Sequence, residues 1–188
     1  MARVTTINRP ADYPGNPDAV AREDLAALFA HLFPGKPDPE IDKFHAGVAI
    51  AAHAPKLALN LAKLSGLIAG ELGWCQRKDL RELAIQALNL YYKSDYSFRC
   101  RAGIAAGAGI SHEQQTALPD WQTSSLFDEE QRLTIEYTRA VVTGAVPDEL
   151  FARVKARWGE RGAVECTALI GFWAFWAMFL NATGATLD

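Results

Sequence analysis

The sequence predicts an all-α fold, and three observations carry that expectation. Apolar residues recur at three- and four-residue intervals, as in Leu25, Leu28, Phe29 and Leu32. Residues that cap helices stand before several such runs, two of them in the Ser/Asp-x-x-Gln form of a capping box. No alternating strand pattern of any length occurs, and the β-branched residues are dispersed through helical patterns. The chain has 188 residues, 49% of them hydrophobic, enough to bury one sizeable core without disulfides or metals.

Each element follows in order. Residues 1–17 hold Pro10, Pro14, Gly15 and Pro17 and read as an extended N-terminal arm ahead of a single domain over 18–188. Asp18 caps a first helix reaching about Phe33, which Pro34-Gly-Lys-Pro37 stops. A second helix is expected from about Pro39 to His53, and Pro55 opens a third reaching about Gly73. Asp79 caps a fourth to about Tyr92, followed closely by a fifth from about Asp95 to Gly107, with Gly109 just past its end. Ser111-His-Glu-Gln114 starts a short sixth helix, and Asp128-Glu-Glu-Gln131 a seventh to about Thr143. Pro147 starts an eighth, and Val164 to about Ala182 forms the most hydrophobic one. Eight or nine helices are therefore expected.

Charge and cysteine usage narrow the function classes. A net charge of −3 with scattered Lys and Arg leaves no electrostatic footprint for nucleic acid. Cys75, Cys100 and Cys166 are odd in number and far apart, which argues against a disulfide framework or zinc site and for a reducing, cytoplasmic setting. No signal peptide is expected in Met1 to Pro10. The apolar run Ala168–Leu180 is shorter than the roughly 20 residues a bilayer requires, so a buried or interface helix is expected and no membrane partner. His45, His53 and His112 lie far apart in sequence, so no metal is expected, nor any other cofactor.

The densest polar cluster is Ser94-Asp-Tyr-Ser-Phe-Arg-Cys-Arg101. Ser94, Ser97 and Arg101 share one helical face, with Ser94 at the N-terminus where free N–H groups favour negative charge. Arg101 adds a permanent cation, and the set can hold a carboxylate, phosphate or enolate. The plainer alternative is that Ser94 or Asp95 only caps the helix and Arg101 makes a surface ion pair. Glu82, on the preceding helix, can approach this face across a short turn and act as acid or base; its alternative is a surface pair with Arg81 or Arg101. Tyr92 and Tyr96 can supply a phenol, whereas Tyr91 is expected in the core. Cys100 is either a small buried hydrophobe or a thiol activated by Arg99 and Arg101. Trp173, Phe175, Trp176 and Phe179 surround the last helix, so part of it can pack against another subunit.

Several stretches carry a resemblance: Leu80-Arg-Glu-Leu-Ala-Ile85, Ala108-Gly-Ile-Ser111, Phe127-Asp-Glu-Glu130, Gly144-Ala-Val-Pro-Asp-Glu-Leu-Phe151, Val164 to Phe172, and Phe179-Leu-Asn-Ala-Thr-Gly184. Over about residues 50–184 the chain resembles the carboxymuconolactone decarboxylase and alkylhydroperoxidase-D-like superfamily. Peroxidases of that family carry Glu, then Cys-x-x-Cys, then His one turn on. By position these fall on Glu82, Ser94 and Ser97, and Arg101, with Cys100 where some relatives hold another histidine. The resemblance also implies a dimer, trimer or hexamer, and a pocket that His53 could face.

The departures matter chemically. Serine cannot be oxidised and resolved as a thiol pair can, and arginine cannot shuttle protons as histidine does. The expectation is therefore a non-redox acid–base enzyme, of decarboxylase, lyase or isomerase type, acting on a small carboxylated lactone or aromatic-degradation product. Glu82 would move the proton, Arg101 would hold the substrate anion, and Ser94 and Ser97 would donate hydrogen bonds. Two alternatives stay open: a catalytically silent oligomer that binds a small anionic molecule, and a peroxidase using Cys100 alone.

Overall fold

Helices and short 3-10 turns account for all the regular structure in the computed structural model, which describes residues 3–187; among them no strand occurs. They form two compact units, one running to Leu67 and resuming at Leu180, the other spanning Ile68–Phe179.

In the first unit the chain ahead of the first helix is pinned by its backbone, and a 3-10 turn at Pro10–Asp12 interrupts it. Ile7 is buried and donates its N–H to the Ala49 carbonyl at 3.0 Å. Ile41 donates to the Asn8 carbonyl at 2.9 Å, and the Asn8 amide returns a bond to the Ile41 carbonyl at 2.5 Å. Helix α1 (Ala19–Leu32) begins as expected, with the Asp18 carboxylate accepting the Ala21 N–H at 2.8 Å. The second helix is much shorter than expected: α2 covers only Ala46–Ala51 and follows a 3-10 turn at Lys43–His45. The arm is the reason, because it occupies both backbone groups of Ile41 and holds that stretch extended. Asp42 then accepts from Phe44 N–H at 2.9 Å and fixes the turn. Helix α3 (Pro55–Gly70) opens on Pro55 and stops three residues short of Gly73.

The second unit is built on α4 (Lys78–Tyr91), α5 (Asp95–Gly107), α6 (His112–Ala117), α7 (Glu129–Thr143) and most of α8 (Asp148–Thr183). Helix α4 packs against both α5 and α7 and is buried along most of its length. Leu83, Ala87, Ala105, Ile110, Leu118, Phe127 and Ile135 form one apolar cluster there. Arg77, not Asp79, holds the N-cap position of α4; Asp79 lies inside the first turn and takes the Arg77 guanidinium at 3.0 Å. Both capping boxes form as read, Ser111 with Gln114 and Asp128 with Gln131. Gly109, at φ +99°, closes α5, with Ile110 N–H reaching the Ala105 carbonyl at 2.9 Å in a Schellman arrangement.

The two helices expected at the C-terminal end both form within the span Asp148–Thr183, and Gly159 separates them. Its φ of 72° and ψ of 173° belong to a region open essentially to glycine alone, so the two segments meet at a sharp bend. As a whole α8 is long and apolar enough to cross a membrane by length and composition, although most of its apolar stretch is buried in the protein.

Candidate functional site

On α4, Glu82, Gln86 and Asn89 follow one another at intervals of four and three residues and so occupy one face. All three are buried, although the helix around them is otherwise apolar. Polar groups withdrawn from water need partners inside the protein, and here they form a seam between α4, α5 and α6.

Glu82 anchors one end. Its side chain is 0% exposed, yet three guanidinium N–H groups reach its two oxygens. Arg101 of α5 grips it with both prongs, Nε to Oε2 at 2.9 Å and Nη2 to Oε1 at 2.6 Å. Arg81 adds Nε to Oε1 at 3.1 Å and is itself fixed by Nη1 on the Ala69 carbonyl at 2.9 Å. A carboxylate this deep would be very unfavourable alone; two cations and three charged hydrogen bonds offset its loss of water. The Arg101 guanidinium lies 5.4 Å from the centre of the Trp173 ring, a cation–π contact, and its side chain stays 20% exposed.

The seam continues through two glutamines. Gln115 Nε2 donates to the backbone carbonyls of Ala102 at 3.2 Å and Ile110 at 3.0 Å. Gln86 Nε2 donates to Gln115 Oε1 at 3.2 Å and to the Phe98 carbonyl at 3.2 Å. Asn89 Nδ2 then donates to Gln86 Oε1 at 3.2 Å.

At the far end α4 turns into α5 through a tight closure. Lys93 adopts φ 53°, where glycine is usual, and Ser94 N–H donates to the Asn89 carbonyl at 2.8 Å. Ser94 occupies the N-cap position of α5, but its hydroxyl makes no capping bond and, though buried, has no partner. Asn89 Oδ1 is likewise buried and unpartnered. Asn89, Leu90, Lys93, Ser94, Asp95 and Phe98 line a recess of about 420 Å³.

Glu82 and Arg101 meet directly, inside the protein and not on its surface. Ser97 and Tyr96 are buried on α5, and Ser94 lines the recess. Glu82 and Asn89 are seven residues apart on α4, about 10 Å along the axis, so the ion pair and the recess are separate ends of one seam. Tyr92 and Cys100 are half-buried. Tyr91, expected in the core, is exposed with the Arg139 guanidinium over its ring, because the last residue of α4 turns away from the face shared by Glu82, Gln86 and Asn89. His53 belongs to the other unit, where its Nε2 meets the Thr5 carbonyl at 3.0 Å.

Gln86, Asn89 and Gln115 were not singled out from sequence. Their signal was present: polar residues at helical spacing inside an apolar α4. No group of three or more His, Cys, Asp or Glu among the described residues is placed to hold a metal ion. Cys75 and Cys166 are buried; burial, then the nearby Glu165 carboxylate, pushes the Cys75 thiol up to about 11, and burial raises that of Cys166 as well.

Comparison with known proteins bears on the fold. No family model matches the chain. It is 38% identical over 74 residues to the uncharacterized protein YnjA of Escherichia coli, a stretch covering 38% of this chain and 41% of that relative. Among solved structures it is similar to a Cys-to-Ala variant of the debrominase Bmp8 in complex with 2,3,4-tribromopyrrole, with a TM-score of 0.70 and 16% identity over 100% of this chain and 94% of that one. The apo form of Bmp8 gives 0.60 and 18% identity over 98% of this chain and 92% of that one. The chain therefore has the all-helical alkylhydroperoxidase-D-like fold.

Proposed function

We propose that the chain is a non-redox enzyme that moves a proton on a small carboxylated ring compound, in a decarboxylase, lyase or isomerase reaction. The observation that carries this reading is the two-pronged grip of Arg101 on the buried Glu82. A buried ion pair is poor evidence of a stabilising device, since a well-packed apolar pair often serves stability equally well. A buried carboxylate held by a partly exposed guanidinium suits chemistry better. An incoming substrate carboxylate competes for the Arg101 fork, which matches it in shape and charge. As the fork shifts to the substrate, Glu82 regains a free oxygen and accepts a proton from an activated carbon, returning it to complete the reaction. Bmp8 shares the fold and is solved with a small halogenated heteroaromatic ring, which supports a compact cyclic substrate.

Solvent deuterium exchange tests this. Wild-type protein incubated in D₂O with γ-lactone carboxylates should wash deuterium into the carbon beside a carbonyl, and Glu82→Gln should not, at unchanged helicity. Equal exchange in Glu82→Gln contradicts the proposal.

A second reading is favoured by the same contact. Both oxygens of Glu82 are committed to guanidinium groups, as they would be in a catalytically silent protein that only binds an anion. That reading requires saturable binding of the lactone carboxylate with no exchange in the wild type.

A further inference from the structure

The recess at the junction of α4 and α5 has a polarity that the hydrogen-bond network dictates. Amide side chains can be turned end for end, but this chain of amides ends on acceptors that cannot be turned. The carbonyls of Ala102 and Ile110 require Gln115 to present its NH₂ group to them, which leaves Gln115 Oε1 as an acceptor. Gln86 must then donate to Gln115 Oε1 and to the Phe98 carbonyl, leaving Gln86 Oε1 to accept from Asn89. Asn89 is thereby fixed with its oxygen as the spare atom. That oxygen is buried and unpartnered in a side chain 1% exposed, and so is the hydroxyl of Ser94, also 1% exposed.

Two such atoms beside one recess call for a reason, because a buried polar atom without a hydrogen bond has given up its solvation for nothing. An acceptor needs a donor, so a carboxylate or phosphate is the wrong guest at Asn89. The walls contributed by Leu90 and Phe98 are apolar and suit a flat ring. Ser94 can donate to, or accept from, the same polar group. We infer that this recess binds a small uncharged ring compound bearing an O–H or ring N–H donor, of the phenol or azole class, with the donor on Asn89 Oδ1. The site goes beyond the proton-transfer reading, because it lies about 10 Å along α4 from Glu82 and needs nothing from the Arg101 pair.

Titration with matched probes tests it. Phenol and its methyl ether, anisole, have the same ring, but only phenol can donate. Phenol should bind about tenfold more tightly than anisole, and benzoate no better than anisole. In Asn89→Leu the preference for phenol should vanish, while Ser94→Ala should weaken phenol only a few-fold. Should Asn89→Leu fail to fold, amide spectra of the wild type decide instead: phenol should shift the Asn89 side-chain NH₂ and the backbone N–H groups of Ser94 and Asp95, and anisole should do so only at higher concentration. Equal affinity for phenol and anisole, tighter binding of benzoate, or no probe binding near Ser94 would each overturn the inference. None of these results touches the Glu82 exchange experiment, which stands or falls separately.

Discussion

Arg101 and Glu82 are joined by two hydrogen bonds, at 2.9 and 2.6 Å, across the contact between α4 and α5, and the carboxylate side of that pair has no exposure at all. Removing either member leaves the other without its match in a place water reaches poorly. Arg101→Met should therefore destabilise the protein by about 3 kcal/mol or more, with Arg81 alone left on Glu82. Glu82→Met should cost less, since the Arg101 side chain is partly exposed and can turn to solvent. The double variant should be less destabilised than the sum of the two single changes, because Arg101 and Glu82 no longer strand one another and only Arg81 loses its carboxylate. Urea denaturation of the four proteins measures this, and simple additivity of the two single changes would contradict it.

Ser94 and Ser111 both occupy N-cap positions, but only one of them caps. The Ser111 hydroxyl accepts from Gln114 N–H at 3.1 Å, so Ser111→Ala should cost about 1 kcal/mol. The buried Ser94 hydroxyl has no partner, so Ser94→Ala should leave stability unchanged or raise it. A loss for Ser94→Ala as large as for Ser111→Ala, in paired thermal melts, would mean that the hydroxyl is bonded after all.

Glu130 makes the acid limb of stability testable. Burial raises its pKa, but the Trp158 indole N–H, the Arg157 guanidinium and the charge of Arg77 prevail and hold it below the ordinary 4.5. The bonds are short, 2.9 Å from Trp158 and 2.6 Å from Arg157. A folded value lower than the unfolded one means that the unfolded chain binds more protons in acid. The contribution of Glu130 is thus complete above about pH 4.5 and disappears as pH falls through the lowered folded value. Urea midpoints between about pH 7 and pH 3 should fall more steeply for wild type than for Glu130→Gln. Parallel curves would remove this carboxylate from the explanation.

The three thiols should separate kinetically. Cys75 and Cys166 are buried with raised thiol pKa values, whereas Cys100 is half-buried. At about pH 8, native protein should release one equivalent of chromophore with a disulfide reagent, and all three only after denaturation. The Cys100→Ser variant should release none natively. Prompt reaction of Cys75 or Cys166 would contradict their burial. Peroxide consumption lost in Cys100→Ser would revive the one-cysteine alternative.

Much of this fold was legible because local chemistry and tertiary packing agree. Asp18, Ser111 and Asp128 announce helix starts by bonds within three residues, and Gly109 announces an end. The second helix is shorter than its pattern predicts because the competitor is remote: Ile41 is held by Asn8, 33 residues earlier, through a bond no local pattern displays. The change of helix near Gly159 was legible, since one helix is expected from Pro147 and another from Val164; the residue that makes the bend was not, because a lone glycine in a helical pattern is ordinarily tolerated. Within the site, Glu82 and Arg101 could be paired on paper because a short turn joins their helices. Gln86, Asn89 and Gln115 could not, since the significance of a buried amide lies in which backbone carbonyls it meets.

Everything catalytic in this proposal requires the Arg101 fork to leave Glu82 for a ligand carboxylate. The side-chain Nε–H resonance of Arg101, assigned by its loss in Arg101→Lys, reports that transfer directly. Titration with γ-butyrolactone bearing one carboxylate should shift this resonance to a saturating limit while that of Arg81 moves little. A ligand that saturates the protein and leaves the Arg101 resonance in place would show that the fork stays on Glu82, and the carboxylate would then have no oxygen to take a proton.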